Sequence, residues 1–137
     1  MVHTAPRLEY LRADSIVRSM GRILISEPYP DVAALLEIVV RRLGHEPVAH
    51  GGGVPLHSGL DAAVIEPGDP AGRQAAEVLA AHGVPLLFTS IYAPTRELMA
   101  LEPVAWLVKP FPVSSLADAI EAATIAGGCV WRSFSSR

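Results

Sequence analysis

Cysteine is almost missing from this chain. Cys129 is the one thiol in 137 residues, which excludes an intramolecular disulfide and a thiolate metal cluster and leaves it the role of a small apolar side chain. Charge is sparse as well: Asp, Glu, Lys and Arg make up 18% of residues, against roughly 25% in ordinary globular chains. The net charge is -3 and no long basic run exists. Nucleic-acid binding draws much of its affinity from clustered Lys and Arg, so no direct nucleic-acid partner is expected. An uninterrupted apolar leader is also lacking, because Arg7, Glu9, Arg12, Asp14 and Arg18 interrupt the first twenty residues. That pattern excludes a secretory h-region and a membrane span and makes the cytoplasm the expected compartment.

Several catalytic signatures are absent too. Gly51-Gly52-Gly53 has neither a Walker lysine nor the G-x-G-x-x-G spacing that cradles phosphates, so it reads as a loop. His45, His50, His57 and His82 show no zinc-ligand spacing with one another or with Cys129, and are expected at the surface or in loops. His57 and Ser58 are adjacent, yet no nucleophile elbow accompanies them. No catalytic residue, metal or cofactor is expected, and the chain is not read as an enzyme.

What remains is a chain that is 50% hydrophobic, long enough to bury one core and too short for two ordinary domains. Four apolar runs read as buried strands, each ending on polar residues: Arg22–Ile25 before Ser26-Glu27, Ala62–Ile65 before Glu66, Pro85–Phe88 before Thr89-Ser90, and Val104–Val108 before Lys109-Pro110. A short further strand fits His45–His50. Between the strands, apolar residues recur at helical spacing. Leu35, Leu36, Val39, Val40 and Leu43 define a helix over about 32–43, with Asp31 as its N-terminal cap and Gly44 as its stop. Helices are also expected over 71–81, with Gly83 behind it, over about 95–101, started by Pro94 or Thr95, and over 114–126, ended by Gly127-Gly128. Strands alternating with helices predict an α/β fold with a five-stranded parallel sheet covered on both faces and right-handed crossovers. Four glycines and a proline within 51–59 make a regular helix there improbable, so a loop is expected to replace or shorten the second helix. The domain is bounded at 21–126, with residues 1–20 as an N-terminal extension and 127–137 as a tail in which Trp131 and Phe134 are candidate anchors.

In open parallel sheets, chemistry collects beyond the carboxyl ends of the strands. Here that edge gathers Ser26, Glu27, Glu66, Thr89, Ser90 and Lys109. This arrangement, with Trp-Leu-Val-Lys-Pro-Phe at 106–111, resembles the receiver domain of bacterial two-component response regulators, a flavodoxin-like fold. The resemblance implies an acidic pair at Ser26-Glu27, a phosphoacceptor at Glu66, a switch hydroxyl at Thr89 or Ser90, an aromatic switch position at Trp106, and the family's lysine at Lys109. The family's phosphoaccepting aspartate is replaced by Glu66, and one carboxylate of its acidic pair by Ser26. In the family those carboxylates hold Mg²⁺, which demands near-octahedral oxygen ligands. The extra methylene of Glu66 moves its carboxylate by roughly one C–C bond, about 1.5 Å, and misplacement of a reacting group by about 1 Å can cost on the order of a hundredfold in rate.

The chain is therefore read as an atypical, pseudo-receiver domain whose phosphotransfer is impaired or absent. A Glu66–Lys109 contact either imitates the phosphoryl–lysine contact of an activated receiver, with one negative charge in place of about 1.5 to 2, or merely holds a relic pocket together. Trp106 is either locked in one orientation or simply a core residue of an edge strand. The expected role is non-catalytic, in signal transduction or transcription regulation, through a homodimer or another protein. The expected surface is the helix near 95–101, the last strand and the last helix, including Leu98, Met99, Leu101, Trp106, Val108 and Ser115. A second reading keeps a cleft that still accepts phosphate or binds a small ligand, with Glu27 and Lys109 as polar anchors.

Overall fold

A computed structural model describes residues 21–50 and 59–127. The glycine-rich loop at 51–58, the extension at 1–20 and the tail anchors Trp131 and Phe134 lie outside the described residues, as do His57, Ser58 and Cys129. Five strands, β1 (Arg22–Ser26), β2 (Glu46–Ala49), β3 (Ala62–Ile65), β4 (Leu86–Ser90) and β5 (Ala105–Val108), alternate with α1 (Pro30–Arg42), α2 (Pro70–Ala81), α3 (Arg96–Met99) and α4 (Val113–Gly127). All strand pairs are parallel, in the order β2-β1-β3-β4-β5. This is the flavodoxin-like doubly wound order, whose switch point falls beside β1 and β3.

The sheet divides the core in two because successive side chains point to opposite faces. Ile23, Ile25, Ala62, Val64 and Leu87 pack under α1 and α4 with Leu36, Val40, Leu116 and Ile120. Leu24, Ala63, Ile65, Leu86 and Phe88 pack under α2 and α3 with Ala76, Leu79 and Leu98. Burial on both sides explains why the central strands read as unbroken apolar runs rather than alternating ones.

Local chemistry sets the helix ends. α1 and α2 both close with a glycine at positive φ, Gly44 at 89° and Gly83 at 76°. In each, that glycine's N–H bonds back to Arg41 O or Ala80 O, and the next residue's N–H reaches Val40 O or Leu79 O, a Schellman closure that delivers the chain into the following strand. Asp69 and Thr95 cap α2 and α3, accepting from Gly72 N and Leu98 N. Asp31 does not cap α1. The N-cap is Tyr29, and Asp31 stands inside the first turn after Pro30, because proline's fixed φ already suits the first helical position. Asp31 instead complements the positive end of the helix dipole, as Arg41 and Arg42 complement the negative end in the last turn.

His45 departs from its expected surface position and is buried, with Nδ1 lacking a partner. It follows the α1 closure directly, so the Schellman turn draws it inward. Leu98 is also buried rather than on the expected interaction surface, because the one turn of α3 must press its apolar side onto the core. Close approach fixes α2: a Cβ at Gly72 would stand 2.5 Å from the carbonyl oxygen of Glu66. The helix therefore begins directly against the chain that leaves β3.

Candidate functional site

Parallel register brings the strand ends to one edge. Ser26 pairs with Ile65, Ile65 with Phe88, and Ser90 with Val108. Two backbone bonds extend the alignment beyond the strands, Glu66 N–H to Ser26 O at 2.9 Å and Lys109 N–H to Ser90 O at 2.8 Å. The Lys109–Pro110 peptide is cis. The side chains of Glu27, Glu66 and Lys109, 39 to 82 residues apart along the chain by subtraction of their numbers, therefore meet.

At their meeting point the Lys109 ammonium donates to Glu66 Oε1 at 2.7 Å and to Glu27 Oε1 at 2.9 Å. The remaining carboxylate oxygens are also engaged. Glu66 Oε2 accepts from Gly68 N at 3.0 Å and Glu27 Oε2 from Tyr29 N at 3.2 Å. The three side chains are nearly removed from solvent, with relative exposures of 0% for Glu27, 9% for Glu66 and 12% for Lys109. The Tyr29 ring, centred 5.7 Å from the ammonium, lies over it, within the range of a cation–π contact.

Ser26, where the resemblance places a carboxylate, is buried and shares a hydrogen bond of 3.0 Å between its Oγ and His50 Nδ1. His50 was not among the sequence-derived site residues. The composition carries a further unread signal: Lys109 is the only lysine in the chain, so ten of its eleven Lys and Arg residues are arginine.

The two candidate hydroxyls have different surroundings. Thr89 is completely buried and its Oγ1 has no hydrogen-bond partner; strand alternation points it to the same face as Leu87. Ser90 Oγ accepts from Tyr92 N at 3.1 Å, and the carbonyl of Tyr92 in turn accepts from Trp106 Nε1 at 3.0 Å. Trp106 also meets Phe88 edge to face, with ring centroids 5.5 Å apart. Its orientation is thus fixed by a directed N–H bond and a ring contact on edge strand β5, and Ser90 is the hydroxyl linked to it.

The donor set does not fit the Mg²⁺ of the receiver fold. Ser26 removes one carboxylate, all four oxygens of Glu27 and Glu66 already accept from N–H groups, and an ammonium stands between them. Among the described residues no group of three or more His, Cys, Asp or Glu is placed to hold a metal ion, and no helix is long and apolar enough to cross a membrane.

Solved structures share this architecture. A sensor protein from Polaromonas sp. JS666 is 21% identical, with a TM-score of 0.61 over 78% of this chain and 98% of that one. The signal receiver domain of a modulated diguanylate cyclase from Desulfovibrio desulfuricans G20 is 23% identical, with a TM-score of 0.64 over 80% and 98%. A response regulator receiver protein from Pseudoalteromonas atlantica is 16% identical, with a TM-score of 0.66 over 79% and 99%. No protein-family model matches the chain, and no curated protein matches it. At these identities the likeness establishes a common fold: the chain has the α/β receiver fold.

Two expectations follow from the site. Burial pulls the Lys109 pKa down, but its hydrogen bonds to Glu66 and Glu27 and their charges outweigh that effect and hold it above the ordinary 10.5. Because the folded value is the higher one, the stabilisation is fully present below the unfolded value and is lost as pH rises through the folded value. With a single lysine, ¹³Cε-lysine labelling gives one side-chain resonance. It should titrate above pH 10.5 in the native protein, with the urea midpoint falling as it does so; titration at or below the value in urea would contradict the triad. The second concerns the hydroxyls. Thr89→Val removes a buried group without a partner and should raise stability by about 1 kcal/mol, whereas Ser90→Ala should lower it by a similar amount, both read by urea unfolding.

Proposed function

We propose that the chain is a receiver-fold signalling domain that works through protein–protein contact and independently of phosphorylation. The observation that carries this reading is the lysine bridge itself. Lys109 already makes, to the Glu66 carboxylate, the kind of contact that the resemblance assigns to a lysine and a phosphoryl group. Glu66 then stands in for the phosphoacceptor as a permanent carboxylate ligand of Lys109, with Ser26 and Glu27 as the altered acidic pair. Ser90 takes the switch-hydroxyl position and Trp106 the aromatic one, held by the Ser90–Tyr92–Trp106 connection.

The contact surface follows from exposure. Ile91, Tyr92, Met99, Val104 and Val108 are large apolar residues left in solvent, and they lie on the β4–α3 loop, on α3 and along edge strand β5. An apolar group of this kind beside an unpaired strand edge is suited to a protein partner or a second copy of the chain. The second reading, a cleft that accepts phosphate or a small ligand at Glu27 and Lys109, requires opening a pocket in which both side chains are occupied.

Beryllofluoride with Mg²⁺ tests the choice. Neither should move the single lysine resonance or the tryptophan emission of the unaltered protein, and Glu66→Asp is the comparison that restores the family's residue type. A saturable response of the unaltered protein that needs both additions would favour the phosphate-accepting reading. For the surface, sedimentation of the unaltered chain should show association that Val108→Lys weakens at least about tenfold, the loss of about 1.4 kcal/mol, with an unchanged unfolding midpoint; equal association in the variant would remove β5 from the interface.

A further inference from the structure

We infer that Lys109 is the resident cation of this pocket: its ammonium takes the position and the charge-neutralising role that a divalent metal would take between the two carboxylates. The inference deepens the proposed function and rests on its grouping of Glu27, Glu66 and Lys109.

The geometry is that of a shared cation. The ammonium lies 2.7 Å from one carboxylate oxygen and 2.9 Å from the other, both in the range of short charge-assisted bonds. The outer oxygens are held by the backbone N–H groups of Gly68 and Tyr29, so neither carboxylate has an unengaged oxygen to offer. The remaining oxygen donor of the altered acidic pair, Ser26 Oγ, is engaged with His50. A small divalent ion asks for about six oxygens in near-octahedral array. It would have to expel the ammonium or stand beside it, and in a nearly dry pocket the repulsion between the two cations is weakly screened.

Residue chemistry supports the same assignment. Lysine ends in a compact point charge with three donors on a flexible stem, which can sit between two carboxylates; the flat guanidinium of arginine is suited to a bidentate face. Every other Lys or Arg position of this chain is arginine, so the one ammonium occurs where two carboxylates converge. The Tyr29 ring centroid lies 5.7 Å from the ammonium and, through its backbone N–H, the same residue also holds Glu27.

Mn²⁺ is the probe, used with the full chain. In the unaltered protein Mn²⁺ should neither bind saturably, read by loss of its free electron-spin-resonance signal, nor broaden the lysine resonance. Lys109→Met keeps an unbranched side chain one atom shorter and removes its charge, leaving Glu27 and Glu66 facing each other. It should bind Mn²⁺ at least about tenfold more tightly than the unaltered chain, as expected for a carboxylate pair released to a hard cation, and its unfolding midpoint should rise with Mn²⁺. Should Lys109→Met not fold unaided, the expected result is recovery of its circular dichroism on addition of Mn²⁺. The double variant Lys109→Met, Glu27→Gln should lose the gain. Equal Mn²⁺ affinity in the unaltered chain and Lys109→Met would overturn the inference, and so would a Lys109→Met chain that Mn²⁺ neither binds nor stabilises. Either failure leaves phosphorylation independence standing, since that is judged by beryllofluoride on the unaltered protein.

Discussion

The Lys109 ammonium between Glu27 and Glu66 is the interaction on which the carboxyl edge of this sheet depends. Three charged side chains there are almost without solvent, a position that is unfavourable unless each charge is matched and each oxygen has a donor. Each oxygen has its donor, and one ammonium is shared by two carboxylates, leaving one net negative charge, while backbone N–H groups of the β1–α1 and β3–α2 loops take the outer oxygens. Removing Lys109 would leave two buried carboxylates facing each other without a counter-charge, and through its two bonds the loops after β1, β3 and β5 are tied to one another at this point.

That point exists because the sheet is parallel and in register. Strands whose ends fall level present their following residues to one another, and the bonds from Glu66 N to Ser26 O and from Lys109 N to Ser90 O carry the alignment one residue further. The close approach of α2 at Gly72, where no side chain fits beneath the Glu66 carbonyl, sets the path of the chain just after the site. Apolar packing on both faces supplies the rigidity, and the polar edge uses it to hold distances near 3 Å between residues remote in sequence.

A second connection leaves the site along β4 and β5. Ser90, Tyr92 and Trp106 form a chain of two hydrogen bonds from the strand end to an indole on the edge strand, the strand that also carries exposed Val108. A fixed ion triad, an oriented indole and an uncovered apolar edge suit a domain that presents one surface continuously. The Mg²⁺ chemistry of the receiver fold finds no matching donor set here, because the lysine has already satisfied the carboxylates that would supply it.

The fold was legible in the sequence because its causes are local or periodic. The apolar strand runs mark doubly covered strands, the helical spacing of Leu36, Val39 and Val40 marks the face of α1, and Gly44 and Gly83 mark turns that need positive φ. The polar residues ending each run, Glu66 and Lys109 above all, were visible as one edge for the same reason. Tertiary structure alone decided the rest. Pro30 moved the start of α1 ahead of Asp31, the turn after α1 carried His45 inside, and Leu98 was drawn into the core by a helix of one turn. Sequence spacing left Thr89 and Ser90 equivalent, whereas their surroundings differ in the structure, Thr89 Oγ1 buried without a partner and Ser90 Oγ accepting from Tyr92 N. The pairing of Ser26 with His50 and the engagement of all four carboxylate oxygens are contacts between segments far apart in the chain. Residue order states which groups reach the edge of the sheet, whereas hydrogen bonding depends on distances of about 3 Å and on direction, which only the packed strands and loops determine.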